Sequence, residues 1–388
     1  MSRFVGAGEA ARLLGIQKAT LYAYVSRGLI ERRVAVDGRT SLYAVDDVES
    51  LAGRGRRREV EPRPSLDVQI VTGVTTLDES GVRYVGHDVA ELSRTATYEQ
   101  VAELLWTGEL GVAPAWPAPD PDDLATAVAI TEAVGAGGVP GLMAVAAALA
   151  VRHPGDDPAT AARRLIGVAP AVVRRQPLAR IPWTSGIGAR LAAAWHPDPP
   201  AELDRTLDRA LVLLADHELA TSTLAVRVAG STWPGPYLAY AAGLAAIAGP
   251  YHGGAARTVH RMLEEAEQEG AASVVLRRLQ ARERLPGYGH KVYVGDDPRL
   301  VPLLELIREL PDPLGRLDVV EDLLMETGVR MTKRPNVDLG LGALTFVAGL
   351  PDDVEPFAVA RLAGFGAHLQ EELEERPVRY RGLARAKP

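Results

Sequence analysis

Three short segments hold the residues best suited to chemistry. They are Gly249-Pro250-Tyr251-His252-Gly253-Gly254-Ala255, then Gly287-Tyr288-Gly289-His290-Lys291-Val292-Tyr293 with Asp297-Pro298-Arg299 behind it, and Arg334-Pro335-Asn336-Val337-Asp338. Glycines on either side of His252 let a ligand come close to the backbone. An amphipathic pattern starting near Ala256 predicts a helix whose N-terminus disfavours an imidazolium. His252 is therefore expected to be neutral and able to donate a hydrogen bond. Taken singly, each segment also has a plain reading: a glycine turn, a structural histidine, an Asn-x-Asp helix cap. The chain has no cysteine, which excludes disulfides, thiolate metal sites and a cysteine nucleophile. No residue cluster has metal-ligand spacing, and there is neither a Walker-type phosphate loop nor a dinucleotide glycine fingerprint.

The elements that must position these groups are mostly helical. Residues 65–86 show strand-like alternation (Val68, Ile70, Val71, Val74) with turns. From Tyr98 onward the pattern is helical, with alanine-rich stretches at 124–151, 158–173, 185–195 and 201–229. Pro114 to Asp122 and His196 to Pro200 read as loops. Ahead of this body lies a small unit. It comprises a helix at Glu9–Leu14 stopped by Gly15, a second from Lys18 to Arg27 with Leu21, Tyr24 and Val25 at apolar spacing, and a charged hairpin around Asp37-Gly38. Leu42-Tyr43 and a helix from Val45 to Leu51 close it. Gly53 to Pro64, rich in Gly, Pro and Arg, reads as a linker.

The 388 residues exceed one ordinary core, and 47% hydrophobic with 24% charged residues is a globular composition. The net charge of −7 is unevenly divided. Residues 1–63 hold 12 Lys+Arg and 8 Asp+Glu, a net of +4, which leaves −7 − 4 = −11 for the rest. A basic head on an acidic body suggests different partners for the two parts. The longest apolar run, Leu142 to Val151, is about half of a membrane span, and the N-terminus lacks the apolar core of a secretory signal. A soluble, cytoplasmic protein with no membrane contact is expected.

Together and in this order, GPYHGGA, GYGHKVY…DPR and PNVD resemble the three catalytic segments of the citrate synthase family. ADHELATSTLAVRVAGST resembles the family's substrate-binding helix region, GVRYVGHDVAEL and ATYEQVAELLWTGEL its N-terminal segment, and PFAVARLAGFGAHLQEELEERPVRYRG its C-terminal helix and tail. The resemblance spans about 65–388. It departs at Leu214, where many members have a histidine before Ala215-Asp216-His217-Glu218, and in a shorter stretch between Leu110 and Asp204.

The resemblance implies a mainly α, two-domain fold. The large domain would be 65–250 with 350–388, the small domain 251–349, and the site would lie in the cleft between them. It implies condensation of acetyl-CoA or propionyl-CoA with oxaloacetate, giving citrate or 2-methylcitrate plus CoA, a tricarboxylic acid cycle reaction. CoA is substrate and product, and no cofactor or metal is expected. Asp338 would remove the methyl proton, His252 would hydrogen-bond the thioester oxygen, and His290 would polarise the ketone. His217, Arg299 and Arg361 would hold the 2-oxo acid. Arg376 would complete the site of the neighbouring subunit in a homodimer. Leu285, Gly287, Tyr288, Gly289 and Lys291 would meet CoA.

The head, EAARLLGIQKATLYAYVSRGLIERR…GRTSLYAVDDVESL, resembles the helix-turn-helix domain of the MerR and excisionase families, with Tyr22 where many members have arginine. This implies a domain at 1–52, a linker at 53–64 and DNA contact through residues 1–58. A rival reading of the whole chain follows: a DNA-binding regulator that uses the enzyme-like body as a metabolite sensor.

Overall fold

The computed structural model describes residues 4–14, 16–26, 29–35, 40–45, 47–48, 69–78, 81–111, 116–290, 293 and 295–381. The chain divides into two compact units, Met1–Ile70 and Val71–Pro388. The Gly53–Pro64 linker, the Asp37-Gly38 turn and Lys291 lie outside the described residues.

In the first unit, strand β1 (Phe4–Gly6) leads into helices α1 (Ala7–Leu14) and α2 (Lys18–Ser26). Strands β2 (Arg32–Val34) and β3 (Ser41–Ala44) follow. The antiparallel sheet has the order β1-β3-β2, with Phe4 opposite Ala44 and Arg32 opposite Tyr43. A small core of Ala10, Ala11, Leu21, Ile30, Tyr43 and Val48 holds the helices to the sheet. Lys18, Arg32 and Arg33 face solvent, and so does the ring of Tyr22.

The second unit opens with a small antiparallel sheet, β4 (Thr75–Asp78), β5 (Gly81–Tyr84) and β6 (His87–Asp88). The strand-like stretch 65–86 contains these β4 and β5 strands, but its described start does not join them: residues 69–74 are not extended ladder, and Val71 is almost fully exposed. Helices follow: α3 (Val89–Thr95), α4 (Tyr98–Thr107), α5 (Pro121–Val134), α6 (Gly138–Arg152), α7 (Pro158–Val173), α8 (Ile187–Trp195), α9 (Ala201–Leu214), α10 (Thr221–Gly230) and α11 (Pro236–Ile247). After them come α12 (Ala255–Glu269), α13 (Ala271–Gln280), α14 (Leu300–Ile307), α15 (Arg316–Arg330), α16 (Val337–Val347) and α17 (Pro356–Leu373).

Local sequence sets many of their ends. Thr97 and Gln100 form a capping box on α4, and Gly108 ends that helix in the left-handed region. Asp120 and Asp157 cap α5 and α7, each with proline at the first helical turn. The predicted run 124–151 is two helices, because Gly135 ends the first and Gly138 opens the second, both at positive φ. The predicted run 201–229 is also two, broken at Ala215–Ala220.

Helix α17 is the axis of the body. It is almost entirely buried and packs on α4, α7, α9, α10 and α11. Helices α12, α13, α15 and α16 pack mainly on one another, while α14 touches both α16 and α9.

Candidate active site

The break between α9 and α10 carries His217. Leu214, the position where the family resemblance departs, is a buried helix end whose carbonyl accepts from Arg361 Nε at 3.1 Å. The Tyr84 hydroxyl donates to the Asp216 carbonyl at 2.9 Å and accepts from its N–H at 3.1 Å. Asp216 Oδ2 accepts from the Thr75 hydroxyl at 2.6 Å and from Glu218 N–H at 3.0 Å. Glu218 is thereby held at φ 52°, an uncommon conformation for a non-glycine residue. His217, between these anchors, is buried. Its Nε2 lies 2.8 Å from the Tyr293 hydroxyl, and its ring meets His290 edge-on at 5.3 Å between centroids. Burial, then the charges of Arg299 and Arg361, hold its pKa well below the ordinary range, so it is a neutral imidazole.

His252 sits in the turn ahead of α12. Gly253 N–H folds back to the Ile247 carbonyl at 3.0 Å, and a Cβ at residue 253 would lie 2.5 Å from that oxygen, so glycine is required. The half-buried ring places Nε2 2.8 Å from the buried Ser222 hydroxyl and meets Phe357 edge-on at 5.3 Å. Burial and the charge of Arg361 lower its pKa to about 4. The neutral state expected from the helix N-terminus is therefore the one present, with desolvation and Arg361 as the main causes.

His290 and Asp338 come from turns tied together by backbone bonds. Asn336 N–H donates to the Gly287 carbonyl at 2.9 Å, Gly289 N–H to the Arg334 carbonyl at 2.8 Å, and Asn336 Nδ2 to the Gly289 carbonyl at 2.9 Å. Gly287 makes this possible: its φ is +77°, and a Cβ there would meet the Leu339 and Val259 side chains at 2.9 Å. Asn336 also caps α16, its Oδ1 accepting from Asp338 N–H at 3.0 Å. The plain reading of Asn-x-Asp as a helix cap is thus correct, and it is the cap that sets Asp338 in the first turn. Burial raises the Asp338 carboxyl to about 6, against a lowering by Arg299. His290 is half-buried with a lowered pKa, from burial first and Arg299 second.

Two buried arginines supply positive charge. Arg299 binds Asp297 through Nε at 2.9 Å and Nη2 at 2.8 Å, while Asp297 Oδ2 also accepts from Val337 N–H at 3.0 Å. That carboxylate joins Arg299 to the start of α16. Arg361, on α17, lies over the Phe357 ring at 4.7 Å, and its Nη1 is buried with no hydrogen-bond partner. An unpartnered buried guanidinium N–H is costly, and an anionic ligand would satisfy it. The fields of Arg299 and Arg361 between them reach His217, His252, His290 and Asp338. Beside His290 a cavity of about 210 Å³ is lined by Gly289, Tyr293, Asp297, Lys333 and Arg334, among others.

Leu285 is buried at the base of the 285–290 turn, and Tyr288 donates or accepts a hydrogen bond with Thr327 at 2.8 Å. Arg376 is exposed beyond the end of α17 and joins none of these side chains within the chain. Sequence reasoning gave no role to Ser222, Tyr293, Asp297 or Phe357. Tyr293 and Asp297 stand inside the quoted motifs, where their spacing from His290 and Arg299 was a usable signal. Ser222 was hidden inside a stretch read as continuous helix.

Neutral histidines, a carboxyl with raised pKa and a buried, partly unsatisfied arginine are groups that could serve proton abstraction next to a carbonyl and the holding of an anion. Among the described residues no acidic or histidine cluster could hold a metal. Residues 67–381 match the family described as citrate synthase, C-terminal domain, and the chain belongs to the citrate synthase family.

A citrate synthase of Corynebacterium glutamicum is 34% identical over 197 residues, 46% of this chain and 45% of that one. The alignment therefore spans about half the length of that relative. A citrate synthase of Mycolicibacterium smegmatis is 28% identical over 332 residues, 76% of this chain and 86% of its own. Among solved structures, citrate synthase from Thermotoga maritima superposes with TM-score 0.67 at 24% identity, covering 82% of this chain and 93% of that one. The ternary complex of carboxymethyl coenzyme A and oxaloacetate with citrate synthase from Thermoplasma acidophilum gives 0.66 at 25%, covering 83% and 96%. No helix among the described residues is long and apolar enough to cross a membrane.

Proposed function

We propose that the chain condenses acetyl-CoA with oxaloacetate to give citrate and CoA. The observation that carries this is the buried Nη1 of Arg361, which has no hydrogen-bond partner and whose charge acts on the neutral His217 and His252. The oxaloacetate carboxylates bind Arg361 and Arg299, with His217 against them; guanidinium forks suit carboxylates. Ser222 donates its hydroxyl proton to His252 Nε2, which leaves the ring proton on Nδ1. Nδ1 then donates to the thioester oxygen as Asp338 takes a proton from the methyl group. The enol carbon attacks the ketone of oxaloacetate, whose oxygen collects a proton from His290. Water then cleaves the thioester and releases CoA as the thiol. Each proton-handling group typically supplies ~10²–10⁴-fold, and holding the partners together supplies more.

The same machinery accepts propionyl-CoA in principle, because a pocket separates substrates differing by one methylene by only ~1–3 kcal/mol. CoA runs along the 285–289 turn, and Lys333 and Arg334 flank its path. Arg376 completes the site of a second copy in a homodimer, and helices 251–349 move as a small domain that closes over the substrates. A thiol-release assay with each acyl-CoA and oxaloacetate tests the reading: no release above background with either would end it.

For the first unit we propose a helix-turn-helix module that contacts DNA, supported by the order β1-α1-α2-β2-β3 and the exposed Lys18, Arg32 and Arg33. Binding in a gel shift should weaken steeply with salt; no binding at low salt would leave it an interaction module. The regulator reading of the whole chain has no comparable support, since 67–381 match an enzyme family.

A further inference from the structure

The residues that would touch substrate rest on a buried polar chain that the reaction itself does not use. His368, on α17, is fully buried. Its Nε2 lies 3.2 Å from Asp216 Oδ2 and its Nδ1 lies 3.1 Å from Arg227 Nη1. A guanidinium can only donate, so Nδ1 supplies a lone pair and the ring proton sits on Nε2, aimed at Asp216. Arg227 is itself fixed, with Nε 2.9 Å from Glu372 and Nη1 2.6 Å from Glu371. The tail closes the far end: Arg379 and Tyr380 both bind Glu372.

Asp216 is the other end of this chain, and it lies one residue before His217. Burial would push its carboxyl up, but His368, Arg361 and Thr75 outweigh burial and keep it below the ordinary range. The carboxylate caps Glu218 N–H at positive φ, so it shapes the break that turns His217 toward Tyr293 and His290. The same segment orients Arg361 through the Leu214 carbonyl. Gly364 seals the contact, since a Cβ there would lie 2.4 Å from Asp216 Oδ1 and 2.6 Å from the Ala215 carbonyl. One buried pair therefore governs two of the groups assigned to the 2-oxo acid.

We propose that His368 and Asp216 are positioning residues for the 2-oxo acid half of the site, acting through His217 and Arg361. The assignment rests on the proposed condensation. His368→Gln keeps an acceptor for Arg227 and a donor for Asp216 at nearly the imidazole spacing, whereas His368→Leu keeps neither. The thiol-release assay is run on the full chain at varied oxaloacetate and varied acetyl-CoA, with melting temperature in parallel.

The expected result for His368→Leu is a KM for oxaloacetate raised about 10–100-fold, the loss expected from misaligned charge-assisted bonds. KM for acetyl-CoA should stay within about twofold, and His368→Gln should recover most of the loss. Asp216→Asn, which presents a donor or a reoriented amide to His368, should reproduce the Leu pattern. If His368→Leu does not fold, the Gln and Asn variants decide between the outcomes. Equal rises in both KM values, a fall in melting temperature with KM unchanged, or no effect at all would each overturn the assignment. A wild-type chain that neither turns over nor binds oxaloacetate in a calorimeter would remove the condensation reading first, and this one with it.

Discussion

Asp338 illustrates how a site can oppose the stability of the fold that holds it. Its carboxyl is raised from 3.8 to about 6, with burial as the leading cause. The folded chain therefore holds that proton more tightly than the unfolded chain does. Below pH 3.8 both states are protonated and nothing is lost. Between 3.8 and 6 the unfolded state ionises while the folded state resists, and stability falls; above 6 the deficit is constant. That rise is worth ~3 kcal/mol, at about 1.36 kcal/mol for each tenfold change in proton affinity. The residue keeps some solvent contact, so this figure is a ceiling. Asp338→Asn has nearly the same shape, retains the cap from Asn336 to its N–H, and never ionises. We expect it to be inactive in thiol release, close to wild type in melting temperature at pH 4, and more stable by up to ~3 kcal/mol at pH 7.5. Calorimetric melting at half-unit steps from pH 4 to 8 reads the difference. A gap that does not widen between pH 4 and 6, or a wild type more stable at pH 7.5, would refute the account of Asp338 as a desolvated base.

The same charges predict the pH dependence of turnover. With Asp338 as base and His252 neutral above about 4, kcat/KM should rise through pH 6 and level off near 7; a profile flat from 5 to 7 would contradict this. Ser222→Ala removes the group that orients His252 and should lower kcat about 10–100-fold while leaving KM for oxaloacetate unchanged in steady-state assays. Arg361→Met should raise KM for oxaloacetate by about 10²-fold or more, through loss of the buried charge proposed to hold a carboxylate. Gly287→Ala places a Cβ against Leu339 and Val259 at positive φ, and should cost ~2–4 kcal/mol in denaturant unfolding together with most of the activity.

Much of the site was legible because its chemistry is local. His252, His290 and Asp338 sit in glycine or Asn-x-Asp turns, whose residue types report their own backbone geometry. The helices at 158–173 and 187–195 were legible for a similar reason, as alanine-rich stretches bounded by Pro, Asp and Gly signals. The break at Ala215–Ala220 was not legible. Alanine, glutamate and leucine there favour helix, and what stops them is the Asp216 side chain on Glu218 N–H and the Tyr84 hydroxyl on both polar groups of the Asp216 backbone. Tyr84 is 132 residues away in sequence and His368 is 152. Contacts of that range leave no periodicity to detect, and tertiary structure overrides propensity. The strand signal over 65–86 was informative only in part: Ile70, Val71 and Val74 precede the ladder, which forms at Thr75–Tyr84, where partners exist.

Burial and the two arginines together explain why the histidines are neutral. Imidazoles near buried guanidinium groups lose their protons to the combined effect of desolvation and like charge, so the arginines that would hold an anion are the same ones that keep His217, His252 and His290 as hydrogen-bond donors at neutral pH. A site built with lysines at the edge would supply positive charge without this coupling, because mobile, solvated ammonium groups impose a weaker field on buried rings. Burying Arg361 against Phe357 and tying its Nε to the Leu214 carbonyl makes the charge fixed and dry. On the proposed reading, one arrangement would give anion binding, neutral donors and, through the opposing effect of burial on Asp338, a base that ionises below neutral pH.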